Sequence, residues 1–275
     1  MTRIPLEDSF TDIVGKAQRG FKLTEQDLAR RAGVTADELA RLQSGAIDET
    51  VIRKVARSLN LGKTTLVESA QKAWYPNPQE VVGLAQFNTP YADMTVNAYL
   101  VWDPASRAAA VFDTGATCAG VVGFAQANGL TVKLILLTHT HPDHIADLAR
   151  LKQETGAPAY VGELEPVAGA EGFAEGREFR VDDLRIETRL TTGHSRGGIT
   201  YVLSGLAKPL AVVGDALFAG SMGGGAVSYL DALANNRKKI LLLADETVLC
   251  PGHGPLSTVG EEKLHNPFFP EFQKP

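Results

Sequence analysis

The stretch Thr138-His139-Thr140-His141-Pro142-Asp143-His144 constrains this 275-residue chain more than any other, because three of its six histidines fall within six positions. It follows an apolar run of strand character, and residues two apart on an extended segment point to one side, so His139 and His141 can share one ion. Asp143 and His144 lie where the chain must bend, and can turn toward a second ion. A solvated histidine-rich loop has no reason to adopt this order.

Such a site needs ligands from elsewhere, and three candidates follow. They are His194 in Thr192-Gly193-His194-Ser195, Asp215 in Val213-Gly214-Asp215-Ala216, and His253 in Pro251-Gly252-His253-Gly254. Each comes after a strand-type run and beside glycine, which suits a side chain presented from a tight turn. Alone, each reads as an ordinary loop residue or turn former. With the first cluster they make seven nitrogen and oxygen ligands, enough for two divalent ions sharing a carboxylate, and they use five of the six histidines.

In this order and spacing the motifs resemble those of the metallo-β-lactamase superfamily of metallohydrolases. Asp113, the 139–144 run, His194, Asp215 and His253 match its five motifs, over about residues 80–266. The resemblance implies an α/β fold, a four-layer αβ/βα sandwich with the metals at one edge of two packed mixed sheets. It also implies that His139, His141 and His194 hold one ion, that Asp143, His144 and His253 hold the other, and that Asp215 bridges them. Asp113, otherwise ordinary turn chemistry in Asp113-Thr114-Gly115, would brace a ligand from behind. The expected chemistry is hydrolysis by a hydroxide generated between two cations near neutral pH, with Asp143 as the catalytic residue that orients it and moves its proton. Zinc is the first expectation from the superfamily, while imidazole and carboxylate ligands suit iron and manganese equally. Cys118 and Cys250 occupy no ligand position and read as small buried apolar residues.

The rest of the chain between 97 and 250 alternates strand and helix patterns. Strand-like runs fall at 97–102, 108–112, 133–138, 158–161, 184–191, 199–203, 210–213 and 247–250, with helix-like runs at 119–128, 145–154 and 227–243. This is α/β material, in keeping with a hydrolase domain over 80–275.

Two segments narrow the branch. Gly214-Asp215-Ala216-Leu217-Phe218-Ala219-Gly220 and the run from Glu261-Glu262 to Asn266-Pro267-Phe268 are similar to segments of glyoxalase II-like thioesterases, which points to hydroxyacylglutathione hydrolase-like chemistry on a small-molecule thioester, ester or lactone. The sequence departs from that branch after Gly220, reading Ser221-Met222-Gly223-Gly224-Gly225 where a Gly-Arg pair is usual, and by ending at Pro275 without a helical glutathione-holding extension. Gly223 to Gly225 reads as a short turn at the pocket rim, and His265 as a cap or surface histidine.

Residues 1–75 form a different, helical unit. Leu23 to Thr35 carries a capping Thr24, an apolar helical period and a turn at Gly33; helical runs at 36–43 and 52–61 follow, and Trp74-Tyr75-Pro76-Asn77-Pro78 reads as a linker. The unit resembles the helix-turn-helix of Cro/repressor-type DNA-binding domains. It holds 12 Lys and Arg against 10 Asp and Glu, and the expected recognition helix opens with Asp37-Glu38, where phosphates would have to approach. Packing or subunit pairing, as in a homodimer, is therefore favoured over DNA as a partner.

Composition limits the remaining classes. A net charge of −5 gives no general attraction to nucleic acid or membrane, two cysteines form no disulfide framework, and no apolar run is long enough to span a bilayer. With no cationic start leading into an apolar signal segment, the cytoplasm is the expected compartment. Three functions stay open at this point: a metal-dependent hydrolase, a metabolite-responsive DNA-binding regulator, and an iron-dependent persulfide dioxygenase-like enzyme.

Overall fold

The computed structural model describes residues 3–273. Five helices come first: α1 (Phe10–Gly20), α2 (Glu25–Ala32), α3 (Ala36–Gln43), α4 (Glu49–Ser58) and α5 (Lys63–Gln71). Local chemistry starts them where the sequence suggests. Ser9 with Asp12 and Thr35 with Glu38 form reciprocal capping boxes, and Gly33 takes the left-handed conformation that ends α2. The expected helices at 36–43 and 52–61 are α3 and α4, while α1 and α5 were not singled out by pattern.

Two six-stranded sheets follow. The first runs in chain order through β1 (Leu84–Tyr91), β2 (Met94–Trp102), β3 (Ala108–Phe112), β4 (Thr131–Leu136), β5 (Ala159–Gly162) and β6 (Glu171–Phe173), antiparallel up to β3 and parallel beyond it. The second holds β7 (Glu178–Val181), β8 (Leu184–Leu190), β9 (Ile199–Ser204), β10 (Leu210–Gly214), β11 (Val248–Pro251) and β12 (Ser257–Thr258), with β10 and β11 its one parallel pair. Helices α6 (Ala119–Ala127), α7 (Pro142–Ile145), α8 (Leu148–Thr155), α9 (Tyr229–Asn235) and α10 (Val259–His265) complete the chain, with a π turn at Asn236–Ile240 extending α9. The single helix expected over 227–243 is thus two pieces. At the π turn, buried Asn236 donates its Nδ2–H to the Ala216 carbonyl (2.7 Å), a contact with the loop that carries Asp215.

Strand residues of the two sheets alternate between two cores, as a period of two requires. Tyr99, Val101 and Phe112 point between the sheets, where they meet Ile186, Tyr201, Val212 and Cys250. Their neighbours Leu100 and Val111 point the other way, against Val121 of α6 and Leu151 of α8. On the second sheet, Ala211, Val213 and Leu249 point outward into a third core that includes Ile13, Leu28, Leu39, Ile52 and Leu66. Helices α1 to α5 therefore lie on the outer face of the second sheet and share one core with it, alongside α9 and α10. The layers read helix, sheet, sheet, helix, as the sandwich expectation required.

Candidate metal centre

Strands β3, β4, β8, β10 and β11 all end at one edge of the sandwich, and the chain beyond each carries one part of the expected motif set. Asp113 follows β3, His139 and His141 follow β4, and α7 then carries Asp143 and His144. His194 follows β8, Asp215 follows β10 and His253 follows β11. The strand end behind His139 is looser than expected: β4 stops at Leu136, so His139 and His141 converge from an irregular loop rather than from an extended strand.

The structure brings all seven expected side chains together. Ligand-capable atoms of His139, His141, His194 and Asp215 lie within 4.8 Å of one another, and so do those of Asp143, His144 and His253. Asp215 stands between the two groups, with Oδ2 3.2 Å from His194 Nε2 and 3.4 Å from His253 Nε2, and Oδ1 3.3 Å from His144 Nε2. Which nitrogen each imidazole presents is fixed from behind. His144 Nδ1–H donates to Asp113 Oδ2 (2.9 Å), His253 Nδ1–H to the Thr95 carbonyl (2.6 Å), and His194 Nδ1–H to the Gly224 carbonyl (3.1 Å). Thr138 spends its hydroxyl proton on Asp113 Oδ2 and accepts from His139 Nδ1–H at 3.0 Å. These four rings thus aim Nε2 inward, while His141 aims Nδ1, 3.1 Å from His139 Nε2 and 3.0 Å from His194 Nε2. Three nitrogens about 3.3 Å apart form the face of a tetrahedron with metal–nitrogen bonds near 2 Å.

Two atoms test whether a cation fits. His144 Nε2 and Asp215 Oδ1 are buried without any hydrogen-bond partner, an arrangement a protein tolerates where something else satisfies the atoms. The cluster is able to hold metal. Its charge balance says the same. Burial, with His144 as a like-charged neighbour, drives His139 well below its ordinary pKa, and burial lowers His194 as well, so both are ready as neutral ligands. Burial alone would also lower His144 and His253, but the Asp215 carboxylate outweighs it, helped by Asp113 at the first and Asp143 at the second, and lifts them to about 10 and about 11. Asp215 is driven well below its ordinary range, burial opposing and both imidazoles overcoming it. A carboxylate held charged in a buried pocket is a cation site in electrostatic terms.

Sequence reasoning missed Glu165, and it gave Glu262 and Asn266 no part in holding the loops in place. Glu165, nearly buried just beyond β5, accepts from Thr140 Oγ1 (2.6 Å) and from the Gly197 N–H (2.9 Å), tying the first histidine loop to the loop of His194. Glu262 on α10 accepts from the Gly220 N–H (3.1 Å), and Asn266 donates to the Ser221 carbonyl (2.8 Å), so the segments Glu261-Glu262 and Asn266 grip the loop after Asp215. Gly252 is required by close approach: a Cβ there would lie 2.0 Å from Asp215 Oδ1 and 2.7 Å from His144 Cε1. Asp113 pays for its position with a left-handed backbone, φ 56°. The cysteines are both buried and free, and His265 stacks on Trp74 with ring centroids 4.8 Å apart, its Nδ1 3.4 Å from Glu68 Oε2.

Hydroxyacylglutathione hydrolase GloC of Haemophilus influenzae is 28% identical to this chain over 204 residues, which cover 65% of this chain and 95% of that protein. Among solved structures, ETHE1 from Myxococcus xanthus superposes with a TM-score of 0.59 at 25% identity, covering 68% of this chain and 85% of that one. TTHA1623 in a di-iron-bound form superposes with a TM-score of 0.54 at 27% identity, covering 66% and 99%. The pattern of the Metallo-beta-lactamase superfamily matches residues 92–253, a span that begins in the hairpin ahead of β2 and closes on the last histidine of the centre. That span is more than half of the chain, and this protein belongs to the metallo-beta-lactamase superfamily.

Proposed function

We propose that this protein is a metal-dependent hydrolase of small thioesters or related esters, similar in chemistry to a hydroxyacylglutathione hydrolase. One observation carries the reading: the loop after Asp215 is gripped at Gly220 by Glu262 and at Ser221 by Asn266, so the two segments that resemble the thioesterase branch meet in space at the end of that loop. The likeness to GloC points the same way.

In this reading His139, His141 and His194 would hold one ion, Asp143, His144 and His253 would hold a second, and Asp215 would serve both; zinc is the first choice, and the likeness to a di-iron-bound structure supports iron. Bound there, the ions would supply Lewis acidity and a water of lowered pKa. Asp143 turns Oδ2 toward His253 and His144, at 3.3 and 3.5 Å, which leaves Oδ1 to hold the attacking water and take its proton. Returned to the leaving thiolate, that proton completes the hydrolysis. Helices α1 to α5 act as the outer layer of the sandwich, without reading DNA. Their apolar faces are spent on the second sheet, and Glu38 at the start of α3 is spent on its capping box.

The likeness to ETHE1 supports a second reading, an iron-dependent persulfide dioxygenase-like enzyme. Elemental analysis with a panel of thioester, lactone, β-lactam and phosphodiester substrates separates the two. About two ions per chain and turnover of the thioester are expected. Less than one ion with no hydrolysis overturns the hydrolase, and oxygen uptake with glutathione persulfide would install the second reading.

A further inference from the structure

Beside the metal centre lies a cleft of about 760 Å³ between the C-terminal end of α1 and the loop that leads into α9. It borders the outer side of the centre at Gly224, whose carbonyl accepts from His194 Nδ1–H at 3.1 Å behind the ring. Its walls are fixed. A Cβ on Gly20 would lie 2.2 Å from the Tyr229 ring, Phe21 meets the same ring edge-on at 5.2 Å, and the N–H groups of Val227 and Ser228 both donate to the Gly193 carbonyl at 3.0 Å.

The charge of this cleft is one-sided. Lys16, Arg19 and Lys22 line it and no carboxylate does. Lys16 is engaged, by Asp8 and by the Met222 carbonyl (2.9 Å). Arg19 and Lys22 are exposed and form no ion pair among the described residues. Arg19 sits in the last turn of α1, where a cation offsets the negative helix end. Lys22 lies just beyond the helix in a left-handed backbone, φ 54°, its N–H donating to the Arg19 carbonyl at 2.9 Å, so the turn that closes α1 carries it to the cleft.

We propose that this cleft docks an anionic group, a carboxylate or a phosphate, at the end of the substrate remote from the bond that is cleaved. The anion would sit against Arg19 and Lys22 while the scissile group reaches past Gly224 to the centre. Arg19 supplies a planar fork suited to either oxyanion, and Lys22 a mobile point charge. The inference rests on the hydrolase reading, and it gives the N-terminal helices a part in choosing the substrate.

The test compares three thioesters with one acyl group, on benzenethiol, on 4-mercaptobenzoate and on a phosphonate-bearing benzenethiol. Wild-type protein is set against Arg19→Gln/Lys22→Asn, since asparagine tolerates the left-handed backbone and both side chains are exposed. The preference in kcat/KM for an anionic over the neutral thioester should fall about tenfold in the variant, mainly through KM. The larger fall, carboxylate or phosphonate, names the anion. An unchanged preference, or equal loss on all three, overturns the proposal. If wild-type protein cleaves none of them, the hydrolase reading has failed, and the cleft is judged by titrating metal-loaded full chain with inorganic phosphate. Saturable amide shifts at 224–228 that vanish in the variant support the site, and their absence removes it.

Discussion

The two faces of the second sheet are buried by different partners. Its inner face packs Ile186, Tyr201, Val212 and Cys250 against strands of the first sheet, within the region that matches the superfamily. Its outer face packs Ala211, Val213 and Leu249 against helices from the first part of the chain, which that match leaves out. Both faces are equally dry. The helices are therefore held by the same force as the sandwich itself, burial of apolar area at about 25 cal/mol per Å², rather than tethered by a linker.

The largest effect should come from taking one partner away. Removing residues 1–75 would uncover Ala211, Val213, Leu249, Phe268 and Phe269 together, an apolar patch that a soluble monomer rarely exposes. Loss of soluble protein is expected, read by yield and size-exclusion chromatography. A soluble, metal-binding fragment would show that the two faces are not equivalent and would return the helices to the status of an appendage.

A second effect sits on the seam between the outer layer and the Asp215 loop. Burial raises Glu262 from its ordinary 4.5 to about 8, against the hydrogen bonds from Asn266 and the Gly220 N–H that favour its charge. Its pKa is higher folded than unfolded, so the folded protein takes up a proton between those two values. The contribution is fully present below pH 4.5 and is lost as pH rises to about 8. Glu262→Gln should remove that slope and leave the variant more stable than wild type at pH 8, on the order of a few kcal/mol, by denaturant titration at several pH values. Parallel pH profiles for the two proteins would refute the buried neutral acid.

What the sequence disclosed and what it hid follow the same division. The seven expected ligands were readable because histidine is scarce here and because they cluster in one short run or stand beside glycine after a strand-type run, a pattern written in neighbouring residues. Strand β3 was readable because Ala108–Phe112 is buried on both faces and apolar throughout. Strand β1 was not. It lies at a sheet edge, where Pro90 is tolerated and Asn88 and Thr89 break the apolar run, and β6 is only three residues long. Helix α1 opens with Asp12 in its capping box where glutamate or glutamine is the recognisable residue, and Gly15 interrupts its pattern. The place of the helices on the sheet and the cationic cleft could not be read at all, since both depend on residues some two hundred positions apart in the chain, such as Gly20 and Tyr229.

Glu165 offers the finest test, because it belongs to the inner side of the comparison yet carries no motif. Its carboxylate joins Thr140, between the first two histidines, to Gly197, just beyond His194, and those hydrogen bonds outweigh burial to hold it below its ordinary pKa. Both loops end strands whose cores are intact without it, so Glu165→Ala should fold and yet let the rings of His139, His141 and His194 drift apart. Groups that orient metal ligands typically contribute about 10–100-fold in metal affinity. A loss in that range is expected by competition with a chelator, accompanied by little change in melting temperature of the metal-free protein. Partial recovery in Glu165→Gln, which keeps an acceptor for Thr140 Oγ1 but has no second one for the Gly197 N–H, would separate positioning from simple packing. Equal metal affinity in wild type and Glu165→Ala would mean that the strand ends alone set the geometry of the centre.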